Sequence, residues 1–127
     1  ALTDVRKGAD MFNKVKTPLL GVVENMSYME IAGKLKTSSI KPSDIELQLD
    51  SKVIPLNEDL SFKHKFHLFK QGGGLNESKR LDIPLLAEIP YSEDLMLSID
   101  KGEPLVFADE NHPISEIFTQ IANSLKD

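Results

Sequence analysis

The sequence predicts an α/β fold with mostly parallel strands and an inserted antiparallel β hairpin or small subdomain. Three observations carry this. Two apolar runs, "PLLGVV" (18–23) and "LDIPLLAEIP" (81–90), share a Pro-Leu-Leu-small beginning and run out on an acid, Glu24 and Glu88. Short continuous apolar runs suit strands buried on both faces, as in a parallel sheet covered by helices. Amphipathic segments alternate with these runs, the pattern of a layered α/β architecture. Residues 28–69 break that rhythm, which marks them as the insertion.

The opening "ALTDVRKGADMFNKVK" spaces Val5, Ala9, Phe12 and Val15 as one helix face. Asp4 near its start and Lys14 and Lys16 near its end suit the helix dipole. Pro18 stops it, because proline disfavours helical backbone at Thr17. Within the insertion, "DIELQLDSKVI" alternates Ile45, Leu47 and Leu49 with Glu46, Gln48 and Asp50, predicting a strand with one wet face. "KFHLF" reads as another strand. A helix is predicted from about Ser92, with Ser92 as N-cap, Glu93 and Asp94 in its first turn, and Leu95, Met96 and Ile99 as its apolar face. Lys101 and Gly102 end it, and Pro104 prevents a restart. "PLVFAD" reads as a short strand or extended link. In "NHPISEIFTQIANSLKD", Ile114, Ile117, Phe118, Ile121, Ala122 and Leu125 keep to one helix face, and Pro113 suits the first turn.

The chain has 127 residues, enough for a single core. Its formal net charge is −5 and its one cationic cluster is the short "KHKFH", so nucleic acid is not an expected partner. It contains no cysteine, which excludes a disulfide framework, a thiolate zinc site and a cluster held by its own thiolates. No apolar run approaches the roughly 20 residues that span a bilayer, and no signal peptide is visible, so no membrane association and a cytoplasmic location are expected. A chain opening at Ala1 on an amphipathic helix suggests a piece of a longer polypeptide.

Asn25 arrives where the first apolar run leaves its sheet. Ligands of open α/β sheets bind at the carboxyl ends of strands, and a carboxamide offers the donor and acceptor that read a nucleobase edge. From spacing alone, a capped turn is the more frequent role of such an Asn. "QGGG" (71–74) reads as a flexible turn into a helix over 75–80 rather than a phosphate cradle, since no GxxxxGK[ST] is present. His64, His67 and His112 lack companion ligands, and Asp109 and Glu110 read as helix-start acids.

A longer string adds to this reading. "ALTDVRKGADMFNKVKTPLLGVVENMSY" closely resembles the Mrp/ApbC family of P-loop ATPases, iron–sulfur cluster carrier or assembly proteins related to the MinD and ParA ATPases. "FHLFKQGGG" and "DIPLLAEIPYSEDLMLSIDKGEPLVFAD" extend the resemblance. It covers residues 1–28 and 66–127 and implies a partial three-layer P-loop NTPase (Rossmann-like) fold, the C-terminal half of a nucleotide-binding domain. It places Asn25 on the asparagine that faces adenine in related ATPases, with Pro90 and Tyr91 on a loop packing near the same base. It further implies ATP as the ligand of the longer protein, iron–sulfur client proteins, and a homodimer or an upstream half completing the sheet.

Three departures qualify that inheritance. The family's phosphate-binding loop, switch segments and Walker-B-like strand lie upstream of the matched string. These 127 residues alone are therefore expected not to hydrolyse ATP, lacking phosphate- and magnesium-binding groups. Many members carry a cluster-bridging CxxC soon after "ENMSY", where this chain has "MEIAGKLKTSS", so an iron–sulfur cluster finds no thiolate here. The insertion at 28–69 is also longer than the family's usual knuckle. A non-catalytic interaction module derived from the same fold is the alternative reading.

Overall fold

The computed structural model describes residues 2–37, 39–69 and 71–126. In chain order the elements are α1 (Leu2–Lys14), β1 (Val22–Glu24), β2 (Met29–Lys34), a 3-10 turn (Pro42–Asp44), β3 (Leu47–Leu49), β4 (Lys52–Ile54), β5 (Ser61–Phe66), α2 (Gly73–Leu81), β6 (Leu85–Glu88), α3 (Glu93–Lys101), α4 (Leu105–Ala108) and α5 (Pro113–Ser124). They form two compact units, one of Ala1–Tyr28 with His67–Asp127 and one of Met29–Phe66.

In the first unit, β1 and β6 pair in parallel, with Val22 opposite Leu85, Val23 opposite Ala87 and Glu24 opposite Glu88. The two Pro-Leu-Leu runs are thus neighbours. The small residue in the first has a reason, because a Cβ on Gly21 would lie 2.5 Å from Leu86 Cγ. The core comprises Ile89, Leu105 and Ile114, with Leu95, Ile117 and Ile121 packed against it. Around it the caps follow the sequence. The Ser92 hydroxyl accepts from the Leu95 N–H at 3.2 Å, Gly102 ends α3 with φ +69°, and Pro113 opens α5. Helix α2 begins at Gly73, two residues before the expected start.

"PLVFAD" is neither strand nor extended link. Residues 105–108 form the single turn α4, because the Pro104 carbonyl accepts from the N–H groups of Phe107 and Ala108. Leu105 of this turn is buried and Val106 half-buried. The face expected on α3 also differs: Leu95 is half-buried, while Met96 and Ile99 are exposed.

In the second unit, β2 and β5 are antiparallel over six residue pairs, from Met29 opposite Phe66 to Lys34 opposite Ser61. Gly33 lies under the Phe62 ring, where a Cβ would come within 2.8 Å of the ring. The strand expected through "DIELQLDSKVI" divides in two. Asp50 takes a left-handed conformation (φ +55°), and β4 turns back antiparallel on β3. Aspartate tolerates that conformation, and a two-residue turn twists with its strands. The alternation itself persists, with Leu47 and Leu49 half-buried and Gln48 exposed. The strand expected at "KFHLF" ends at Phe66 and begins earlier, at Ser61.

Among the described residues, no helix is long and apolar enough to cross a membrane.

Candidate functional site

Two parallel strands end side by side, and their exits carry the residues singled out in the sequence. The pairing continues past the strands: the Ile89 N–H donates to the Glu24 carbonyl at 2.8 Å, the Ser27 N–H to the Ile89 carbonyl at 2.9 Å, and the Tyr91 N–H to the Tyr28 carbonyl at 2.7 Å. Asn25 and the Pro90–Tyr91 pair therefore lie on adjacent exits at the carboxyl edge of the sheet. Pro90 is half-buried and Tyr91 is exposed.

Asn25 is exposed, and its Oδ1 accepts from the Met26 N–H at 2.9 Å. Met26 has φ +51°, a conformation that costs about 1–3 kcal/mol for a side chain of this kind. The turn expected from an Asn at a strand exit is present. It occupies one lone pair of the carboxamide oxygen. The amide nitrogen makes no hydrogen bond among the described residues, so both of its donors remain for a ligand.

Asn25 and Met26 line a cavity of 590 Å³ whose apolar walls include Val22, Val23, Leu2, Val5 and Phe69. Thr3, Gly73, Gly74, Glu24 and Glu77 complete it, while Pro90 and Tyr91 do not line it. A flat apolar ring with a polar edge suits such walls with one carboxamide among them. The glycine turn does not suit phosphate. Glu24 Oε2 accepts from the Gly74 N–H at 2.8 Å, so a carboxylate already occupies the start of α2. An anion there would meet like charge.

The sequence marked Glu24 at its strand exit without giving it a role, and Glu77 was missed: its side chain is 1% exposed, accepting from Arg6 Nε at 2.6 Å and from Arg80 Nε at 2.8 Å. Arg80 also reaches Asp10 at 3.3 Å, so two ion pairs tie α1 to α2 beside the cavity. The Glu77–Arg80 spacing of three was readable as a helix pair. The Arg6–Glu77 partnership, 71 positions apart, left no local signal. The Arg6 hydrogen bond, and then that of Arg80, hold the Glu77 carboxyl below its ordinary 4.5. A depressed carboxyl favours the fold above the unfolded value and loses that contribution as pH falls through the folded one. Glu77→Gln is therefore expected to destabilise most near neutrality. The gap to the parent should shrink as pH falls below 4.5, read by urea unfolding at stepped pH. A gap that widens on acidification would contradict this assignment.

The histidines are not brought together. His112 caps α5, its Nδ1 accepting from the Ile114 N–H at 3.1 Å, and its Nε2 lies 3.2 Å from Asp94. His64 packs edge-on against Phe66, and His67 lies beside the Tyr28 ring. No group of three His, Asp or Glu able to hold a metal ion occurs among the described residues.

Comparison with known proteins is consistent along the chain. A family model described as ParA, NUBPL iron-transfer P-loop NTPase, matches residues 1–53 and 51–126. An iron-sulfur cluster carrier protein of Pseudomonas fragi is 32% identical over 122 residues, covering 96% of this chain and 33% of that protein. One from Aquifex aeolicus is 30% identical over 125 residues, covering 98% of this chain and 27% of that protein. The iron-sulfur cluster transfer protein NUBPL of Mus musculus is 27% identical over 125 residues, covering 98% and 30%. The chain thus spans a third or less of the length of these relatives.

Proposed function

Because the chain belongs to the ParA family of NUBPL-type iron-transfer P-loop NTPases, we propose that it forms the base-side wall of an ATP site in an iron–sulfur cluster carrier. The observation that supports this best is the adjacency of the two strand exits, one leading into Asn25 and the other into Pro90 and Tyr91. In this reading the Asn25 carboxamide reads the edge of adenine, and Pro90 and Tyr91 pack near the ring. Phosphate and magnesium are held by parts of the longer protein outside these 127 residues. The cluster is cargo, passed to iron–sulfur client proteins. Its thiolates come from elsewhere in the assembly, since this chain has no cysteine.

The exposed apolar side chains Val5, Phe12, Val15 and Val23 fit the same reading. An unpaired parallel edge invites further strands, supplied by the rest of the domain or by a second copy.

Removing the base contact is expected to weaken ATP binding to the full-length protein about three- to tenfold in Asn25→Ala, the worth of one or two hydrogen bonds. Titration of both proteins with a fluorescent ATP analogue reads this, and equal affinity would remove Asn25 from the site. A second reading, a partner-binding module, draws on the compactness of Met29–Phe66 by itself. Deleting that unit while ATP binding persists and client transfer fails would favour it.

A further inference from the structure

The molecule carries an apolar surface that the nucleotide reading does not use. Helices α3, α4 and α5 enclose a groove of 390 Å³ lined by Leu95, Ile99, Pro104, Leu105, Val106 and Phe118. Ile99 on its wall is 66% exposed. Ser98 also lines the groove, but its hydroxyl donates to the Leu95 carbonyl at 2.9 Å and is engaged within its own helix. A small polar ligand therefore finds nothing to orient it, whereas bulky apolar side chains find a slot.

The segment that builds this groove is acidic. Residues 92–126 hold seven acids (Glu93, Asp94, Asp100, Glu103, Asp109, Glu110 and Glu116) against two bases, Lys101 and Lys126. That imbalance equals the net charge of the whole chain, −5, so the rest is neutral. Asp100 and Glu103 stand between lining residues in the chain and are exposed, whereas Glu116, two before Phe118 on α5, lies on another face of that helix. Neither Asp100 nor Glu103 is in an ion pair among the described residues. Such a rim repels an anionic lipid surface.

We propose that this groove receives a cationic amphipathic helix of a partner protein. Apolar side chains at i, i+3 and i+4 or i+7 would enter the slot, and Lys or Arg beside them would meet Asp100 and Glu103. Helix-in-groove docking gains affinity from the buried anchors, and the charges add orientation and association rate. Both contributions are separable by experiment.

The test uses the full-length protein that carries this chain and a fluorescein-labelled 14-residue model helix of Leu and Lys in amphipathic order. Its counterpart carries Glu for every Lys. Fluorescence anisotropy is expected to show binding of the Lys peptide and at least tenfold weaker binding of the Glu peptide. Ile99→Ser should weaken the Lys peptide about tenfold. Asp100→Asn with Glu103→Gln should weaken it severalfold and flatten its salt dependence. These positions are exposed, and circular dichroism of each variant checks the fold. ATP affinity should be unchanged in them, which separates this proposal from the nucleotide reading. Equal binding of both peptides, an Ile99→Ser protein that binds as the parent does, or no binding because another part of the protein covers the groove would each overturn the proposal.

Discussion

Ile114→Ala is expected to lower the stability of the first unit by about 2–5 kcal/mol. Ile114 is 2% exposed in the first turn of α5 and meets Ile89 and Leu105 in the core. Alanine there removes three carbons and leaves a cavity, because three separate elements hold its walls. Ile89 follows β6 directly, and Leu105 anchors α4. The loss therefore loosens the strand exit that carries Pro90 and Tyr91. Hydrogen exchange of α5 and β6 amides reads it locally, without assuming that both units unfold together. The control is Ile99→Ala, at a side chain 66% exposed, which should change protection by less than about 0.5 kcal/mol. Equal losses at the two positions would mean that the core is elsewhere.

Gly74→Ala is expected to destabilise by about 1–3 kcal/mol through overpacking. A Cβ at this position would lie 2.5 Å from Glu24 Oε2, 2.9 Å from Glu24 Cβ and 3.2 Å from Leu85 Cδ1. Glu24 must withdraw, and the bond from its carboxylate to the Gly74 N–H is lost. Because the two residues touch, their effects should not add. In a Glu24→Ala background the cost of Gly74→Ala should fall but not vanish, since the Cβ contact at 2.9 Å remains. Urea unfolding of the four proteins of this cycle measures the coupling. Additive losses would show that no close contact exists between strand exit and helix.

The same contact explains part of what the sequence could and could not disclose. Periodicity and punctuation made the longer helices legible, though not the single turn α4: Ser92, Gly102 and Pro113 act locally, within a turn of the residues they cap. The strand pair was legible as two continuous apolar runs, although none of their strand residues is fully buried and Val23 is 41% exposed. Legibility failed where the deciding partner was distant. The glycines of "QGGG" looked like flexibility, yet Gly74 is small because the Glu24 side chain, fifty positions away, approaches its backbone. Glu77 drew no attention in the sequence and is buried between two arginines. Alternation showed that Leu47 and Leu49 share a face, but the turn at Asp50 depends on one φ angle that no periodicity encodes. For Asn25, spacing supported only the turn that the structure contains. That its strand exit neighbours the one leading into Pro90 and Tyr91 needed the parallel register.

The central claim is that Asn25 and Tyr91 flank a bound adenine. Photolabelling of the full-length protein with 8-azido-ATP, followed by peptide mapping, tests it most directly. The expected result is label in the peptides carrying residues 24–28 and 89–92, displaced by unlabelled ATP. Label that is displaced by ATP but maps only outside both segments would contradict the assignment.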